Sequence, residues 1–351
     1  MQKVLRFHFG VLSRPKLHIF DKGAKHTPSG IRATIHGGTS FSGIYMGGML
    51  GNIGSELIFP HNHQYNYEDH VRELKTTSGP GQNWLLHDMN YDNKEMIEWT
   101  MKNSNVVVNL LGPQKTSEKQ KGFRVDQLSQ CQKEQLKHAL KTPGVIRLIH
   151  FSACGANPHA ESLDLQTKYI GEQEVLNAFP NATIFRPSVM VGDNDDFAYH
   201  WQVQKRYFHN FNIVPDNCQA KRQPIFVQDV AQAMLNALKM PETIGQTYEL
   251  GGPHVYTLLE CYEMFHNIVQ RPPKLAHIDK QLLLKIAQYI PNWKYFNIDY
   301  ILKHGDDMIV QQGSKTIDDL CVRPLSLTQA LQNIFWDIQA RYGGSSELYE
   351  R

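Results

Sequence analysis

The segment IRATIHGGTSFSG, residues 31–43, decides the fold of this chain. Residues 31–36 predict a short buried strand, and a helix-length stretch follows the glycine-rich residues 37–43 to about Leu50. A strand that passes through such a turn directly into a helix is typical of the first unit of a dinucleotide-binding fold. The segment therefore predicts a nucleotide site at this turn.

The same alternation of strand and helix continues along the chain. Further strands are predicted at 56–59, 84–87, 105–111, 145–151 and 182–185, and helices at 92–102, 127–140 and 166–179. Continuously apolar strands separated by helices require a parallel sheet covered on both faces. We therefore predict an α/β fold with a doubly wound parallel sheet (30–250), preceded by a basic extension (1–29) and followed by a smaller, mostly helical C-terminal lobe (251–351).

The glycine positions of the turn depart from the usual pattern. Dinucleotide folds space three glycines so that the chain bends tightly and its backbone approaches the pyrophosphate. Here Gly37, Ser40 and Gly43 take those places, with Thr39 and Phe41 between them. The Cβ of Ser40 would weaken or shift cofactor binding, or its hydroxyl would donate to a phosphate oxygen. A tight turn without a ligand is the alternative.

The end of the second strand predicts the nucleotide's type. A carboxylate there would bond the ribose 2′-hydroxyl of NAD and repel the 2′-phosphate of NADP. No acidic residue follows this strand before Glu68, whereas His61, His63 and Arg72 could meet a phosphate. The sequence therefore favours NADPH or NADP over NAD. Asp88, after the third strand, either bonds the adenine or is a turn residue.

Composition excludes several classes of function. A formal net charge of +2 supplies no strong basic field, so we expect no nucleic acid partner. Five cysteines without a CxxC pair argue against a disulfide framework and a zinc site. No run of 18 apolar residues predicts a membrane span. Residues 1–20 are basic and lack acidic residues, which fits either mitochondrial import or a docking arm.

Five segments, in order, resemble the extended, atypical branch of the short-chain dehydrogenase/reductase superfamily. Within that branch the chain is similar, from about Ser29 to Tyr256, to the nucleotide-binding accessory subunits of mitochondrial respiratory complex I. The segments are 29–43, 103–112, 168–175, 186–188 with Gly192, and 223–230. This resemblance implies a Rossmann fold that binds NAD(P), and adds six candidate cofactor-binding residues: Leu111, Gly112, Ser152, Lys168, Pro187 and Ser188.

The catalytic motif of the superfamily is incomplete. Active members use Tyr-x-x-x-Lys on one helix face, where the tyrosine transfers the proton that accompanies hydride transfer. Lys168 is present, but Asp164 stands four residues before it. A carboxylate that is ionised at neutral pH cannot donate that proton. We therefore predict that no residue of this chain is catalytic, and that Ser152 merely ends its strand.

The C-terminal part carries a candidate docking segment. Residues 278–290 predict an amphipathic helix, and residues 291–300 are rich in aromatic side chains. Such a segment suits an interface or a membrane surface, or packs the small lobe against the main domain.

The resemblance implies a specific biological setting. It implies a non-catalytic subunit on the matrix side of the mitochondrial inner membrane, with structural NADP(H). It also implies contact with other complex I subunits of the matrix arm, with the membrane-arm junction and with phospholipid. The alternatives are a free NADP-dependent reductase or epimerase, and a scaffold protein that holds no nucleotide.

Overall fold

The main domain is built on one parallel sheet. This computed structural model describes residues 28–61, 68–79, 81–87, 89, 93–111, 144–193, 195, 197–198, 201, 211–215, 218–269, 274–289 and 298–342. Within them, the sheet contains the strands β1 (Arg32–His36), β2 (Glu56–Pro60), β3 (Asn83–Leu86), β4 (Val106–Asn109), β5 (Arg147–Phe151), β6 (Thr183–Pro187) and β7 (Thr247–Leu250). The strand order is β7-β6-β5-β4-β1-β2-β3. This is the order of doubly wound dinucleotide-binding folds with one strand added, so the predicted fold class is confirmed.

Helices cover the sheet and build the C-terminal part. In chain order they are α1 (Phe41–Asn52), α2 (Glu68–Thr76), α3 (Lys94–Lys102), α4 (Leu163–Ala178), α5 (Val227–Lys239), α6 (Leu258–Val269), α7 (Lys280–Tyr289), α8 (Ile298–Gly305) and α9 (Leu327–Tyr342). Short 3-10 turns lie at Pro241–Thr243 and Asp318–Leu320. Three two-stranded ribbons join Met190–Val191 to Ile225–Phe226, Lys221–Arg222 to Tyr256–Thr257, and Asn212–Pro215 to Leu275–Ile278.

Two large apolar clusters stabilise these layers. The first lies between the sheet and helices α1 and α5, and contains Ile35, Phe59 and Phe185. The second is rich in aromatic side chains, with Trp201 and Tyr262 stacked at a centroid distance of 3.9 Å. It combines residues from 191–226 with residues from α6 and α9, so chain on both sides of residue 250 builds this core.

The C-terminal chain returns to the main domain after α8. Ile317, Leu320 and Val322 belong to the first cluster. Residue Lys315 forms a parallel bridge with Tyr248 of β7, and the backbone N–H of Leu325 donates to Asp229 Oδ2 of α5 at 2.8 Å. The segment between β7 and residue 315 is therefore anchored to the main domain at both ends.

The six strands predicted from the sequence are all present, and Asn93 caps α3. Strand β7 was missed. Its sequence TYEL contains Glu249, which argues against a buried strand, but Arg186 of β6 lies directly opposite and pairs with it at 3.3 Å. The helix expected at 166–179 begins at Leu163, and the helix predicted at 127–140 lies outside the described residues.

Candidate functional site

The glycine turn between β1 and α1 is closely packed. Gly37 has a φ of +79°, a conformation that side chains rarely adopt, and its carbonyl accepts from Ser40 N at 2.9 Å. A Cβ on Gly43 would lie 2.5 Å from Gly38 O and 2.7 Å from Gly37 O. The helix therefore starts directly against the turn, and the backbone of residues 37–43 faces the carboxyl edge of the sheet.

Ser40 has a defined structural role. It is the N-cap of α1, and its Oγ accepts a hydrogen bond from Gly43 N at 3.2 Å. A hydroxyl that accepts this bond still has its own proton to donate. Phe41 packs beside it, with its ring 5.5 Å from that of Tyr45 in an edge-on arrangement, and Thr39 is half-buried in the turn.

The end of β4 lies beside this turn. Leu110 N donates to His36 O at 3.0 Å, so the chain leaving β4 continues along β1. The buried side chain of Asn109 accepts from Leu111 N at 3.1 Å and fixes the direction of the backbone there. Leu111 thus follows Leu110, which packs against Gly37, whereas Gly112 lies outside the described residues.

The helix that carries the incomplete catalytic motif places a carboxylate between two lysines. Asp164 lies in the first turn of α4, one turn before Lys168. Its Oδ2 is 3.7 Å from Lys168 Nζ and 2.8 Å from Lys303 Nζ of α8. Because two ammonium groups face one carboxylate oxygen, this arrangement favours the ionised form of Asp164.

Two buried polar side chains on β5 and at its end face the same region. Ser152 is buried, and its Oγ finds no hydrogen-bond partner among the described residues. His150, two residues earlier, has neither ring nitrogen hydrogen-bonded within that part of the chain. Burial, with a smaller contribution from the Lys168 charge, lowers the pKa of His150 to about 4. His150 is therefore a neutral group at physiological pH.

The residues at the end of β6 form hydrogen bonds with the main domain and with the segment after α8. The Pro187 carbonyl accepts from Cys154 N at 2.9 Å, and Ser188 N donates to Leu250 O at 2.8 Å. Ser188 Oγ donates to Met308 O at 2.7 Å. The Ser188 hydroxyl, a candidate cofactor contact, therefore ties the segment after α8 to the sheet edge.

The ends of β2 and β3 bring two histidines together. His61 is buried and its Nε2 lies 3.0 Å from Nδ1 of His87, which is exposed. Arg72 lies on α2 with an exposed side chain. His63 and Asp88 lie outside the described residues, as do any contacts that they make. His61 is thus oriented by a partner that the sequence interpretation did not include.

Three residues of the candidate site were not identified from the sequence: His87, His150 and Lys303. The signal for His87 was present, since it ends the third predicted strand, much as His61 lies just after the second. His150 lies within a predicted strand, and nothing in the local sequence indicates that its imidazole is buried. Lys303 was not predictable, because it reaches Asp164 from 139 residues away. In the described part of the chain, no group of three or more potential ligands could hold a metal ion.

Comparisons with known proteins give the chain a family. No protein-family model matches it. It is 30% identical over 320 residues to NADH dehydrogenase (ubiquinone) 1 alpha subcomplex subunit 9, mitochondrial, of Arabidopsis thaliana, covering 87% of this chain and 77% of the relative. It is 29% identical over 313 residues to the mitochondrial NADH-ubiquinone oxidoreductase 40 kDa subunit of Neurospora crassa, covering 88% and 80%.

Solved structures share the fold at low identity. A dTDP-glucose 4,6-dehydratase from Bacillus anthracis in complex with NAD superposes with a TM-score of 0.67 at 13% identity, over 91% of this chain and 99% of that one. A UDP-glucuronic acid 4-epimerase from Bacillus cereus gives 0.62 at 16% identity, over 89% and 100%. The sheet and the glycine turn are consistent with the family to which these relatives belong. The chain belongs to the family of NADH dehydrogenase (ubiquinone) 1 alpha subcomplex subunit 9 proteins.

Proposed function

We propose that this chain is a non-catalytic accessory subunit of mitochondrial NADH:ubiquinone oxidoreductase. In this role it holds NADP(H) as a structural cofactor and helps to join the matrix and membrane arms of the enzyme. The names of its relatives support the assembly. The observation that carries the absence of catalysis is Asp164, whose carboxylate lies between Lys168 and Lys303.

The residues of the turn fit a dinucleotide. The absence of a Cβ at Gly37 and Gly43 lets the turn pack closely against Leu110 and against its own carbonyls. This packing brings the start of α1, where helix N–H groups attract phosphate, directly after the turn. The Ser40 hydroxyl keeps a proton that it can donate to a phosphate oxygen, so the serine suits the site. The Ser152 Oγ, which has no hydrogen-bond partner among the described ranges, and the ammonium group of Lys168 are suited to hydroxyl groups of a ribose.

Asp164 replaces the group that a reductase needs. A hydride transfer to a carbonyl requires a proton donor, and a phenol supplies it in active members of the superfamily. Two lysines stabilise the Asp164 carboxylate as an anion, which accepts hydrogen bonds and donates none. A nucleotide bound here would act by mass action on the fold, adding about 2.7 kcal/mol at a hundredfold excess over its dissociation constant.

The C-terminal lobe supplies the docking surface in this proposal. Helix α7 buries Leu283 and Ala287 but exposes Leu282 and Ile286, which are four residues apart and share one face. Lys285 is exposed beside them. Such a face suits a neighbouring subunit of the membrane-arm junction, or phospholipid, on the matrix side of the inner membrane. No helix in the described ranges is both long enough and apolar enough to cross a bilayer.

The nucleotide is tested by acid extraction of the purified full chain and chromatography of what it releases. Recovery of NADP or NADPH in a near-stoichiometric amount supports the proposal. Recovery of NAD alone would overturn the predicted preference for the 2′-phosphate. Recovery of no nucleotide, together with no binding of added NADPH, would leave the scaffold alternative.

Assembly and catalysis are tested separately. Native electrophoresis of detergent-solubilised mitochondria from the source cells, probed with an antibody to this chain, should place it in the high-molecular-mass respiratory assembly. The purified chain should not oxidise NADPH in the presence of a panel of aldehydes, ketones and nucleotide sugars. Migration only as a monomer, together with carbonyl-dependent turnover, would instead identify a free reductase.

A further inference from the structure

His61 and His87 form a directed hydrogen-bond chain at the ends of β2 and β3. The Nδ1 atom of His61 lies 3.3 Å from the Phe59 carbonyl oxygen, and its Nε2 lies 3.0 Å from His87 Nδ1. The two rings meet edge to face at a centroid distance of 4.5 Å. The exposed His87 therefore keeps only Nε2 for a ligand.

The Phe59 carbonyl fixes the direction of this chain. A carbonyl oxygen only accepts, so His61 Nδ1 must carry a hydrogen. In a neutral pair, His61 Nε2 is then an acceptor and His87 Nδ1 must be the donor. That leaves a lone pair on His87 Nε2, the atom that a ligand would meet. The neutral pair therefore presents a hydrogen-bond acceptor at His87 Nε2. Because a phosphate oxygen is also an acceptor, the neutral pair disfavours its binding.

One added proton reverses this preference. If the proton binds His87, its Nε2 becomes a donor directly. If it binds His61 Nε2 instead, that nitrogen donates to His87 Nδ1, and the hydrogen of His87 must lie on Nε2. Both arrangements place an N–H at His87 Nε2 and a positive charge on one of the two rings. The protonated pair therefore attracts a phosphate.

The sheet register places this pair beside the glycine turn. Pro60 of β2 lies opposite Leu86 of β3, and His61 N continues the ladder to Leu86 O at 2.9 Å. Strand β2 also pairs in parallel with β1, which leads into Gly37. Helix α1, which begins at the turn, contains no charged residue. The charged side chains described on α2 near this edge are Arg72, Glu73 and Lys75.

We propose that His87, oriented by His61, contacts the 2′-phosphate of the bound nucleotide and makes its binding proton-linked. This inference rests on the proposed function, because it assumes that NADP(H) is the cofactor. Binding of the 2′-phosphate should take up as much as one proton. The affinity for NADPH should then fall as the pH rises, toward tenfold per pH unit, while the affinity for NADH should not.

The experiment is isothermal titration calorimetry of the nucleotide-free full chain with NADPH, NADH, 2′-AMP and 5′-AMP, at a series of pH values from about 6 to about 9. The variant is His87→Gln, which keeps a side-chain donor for His61 but cannot gain a charge. His159→Gln, at an exposed histidine, is the matched control. Thermal unfolding of each variant checks that the fold is retained.

Wild-type protein and His159→Gln should lose affinity for NADPH and 2′-AMP as the pH rises. His87→Gln should bind both about tenfold more weakly near pH 6 and lose that dependence on pH, with NADH and 5′-AMP unaffected. Tight, pH-independent binding of NADPH, or a wild-type profile in His87→Gln, would overturn the inference and leave the proposed cofactor intact. Failure of the wild type to bind any nucleotide would overturn both.

Discussion

Lys303 Nζ and Asp164 Oδ2 lie 2.8 Å apart, although 139 residues separate them in the chain. The pair joins α8 to the first turn of α4, four residues before Lys168. The same oxygen is 3.7 Å from Lys168 Nζ. One carboxylate therefore joins the segment that contains α8 to the helix that carries Lys168.

Asp164→Asn should lower the free energy of unfolding by about 1 kcal/mol, because it removes the anion between two partly buried lysines. Urea unfolding measures the change. Glu161→Gln is the matched control, since Glu161 pairs with Lys280 at 2.6 Å but is 58% exposed. Its cost should be near zero. Equal costs for the two variants would show that Asp164 contributes no more than a surface charge.

Arg186→Met should be much more damaging. Arg186 donates to Glu172 at 2.7 Å and to Glu249 at 3.3 Å, and both carboxylates are almost fully buried. Their charges and hydrogen bonds raise the pKa of the guanidinium further above its usual value. The substitution leaves two buried carboxylates without their cation, which should cost about 3–5 kcal/mol.

A triple variant tests that explanation. If the cost comes from uncompensated charge, Arg186→Met combined with Glu172→Gln and Glu249→Gln should recover part of the stability in urea unfolding. A triple variant as unstable as Arg186→Met alone would indicate that packing, and not charge, dominates at this site.

Gly43→Ala should abolish nucleotide binding. The added Cβ would lie 2.5 Å from Gly38 O, so the turn must open, and we expect a stability cost of about 1–3 kcal/mol as well. Gly48→Ala, in the same helix, is the control because a Cβ there has no heavy atom within 4 Å. That change should stabilise the protein by up to about 1 kcal/mol. Calorimetric titration with NADPH and thermal unfolding measure both effects. Retained binding in Gly43→Ala would contradict the assignment of this turn.

Acid should destabilise the fold through buried histidines. Burial lowers the pKa of both His36 and His150 from the ordinary histidine value of 6.5 to about 4. Between these values the unfolded chain binds more protons than the native state, so stability falls as pH drops through this window. Each histidine contributes about 1.4 kcal/mol per pH unit in the middle of the window.

His150→Leu tests this contribution. The unfolding free energy of the variant should fall less steeply between about pH 6 and about pH 4.5, because one histidine fewer takes up a proton on unfolding. His159→Leu, at an exposed position, should follow the wild-type profile. If His150→Leu and the wild type lose stability in parallel, His150 is not neutral in the native state.

Local patterns predicted most of the sheet, because buried parallel strands are short apolar runs between turns. They failed for β7, where the buried charge of Glu249 depends on Arg186 of the neighbouring strand. The glycine turn was predictable, since backbone conformation limits which residues it accepts. Lys303 was not, because the contact that gives it a role forms only when the lobe packs. His87 gains its orientation from His61 across two strands, which no single segment records.

The return of the chain to β7 has a consequence for fragments. The segment between Leu250 and Lys315 departs from one side of the sheet and rejoins it there, with Ile317, Leu320 and Val322 packed into the first cluster. A protease that cuts once within this segment would leave a nicked molecule. Its two pieces should stay associated through native chromatography and separate only in denaturant.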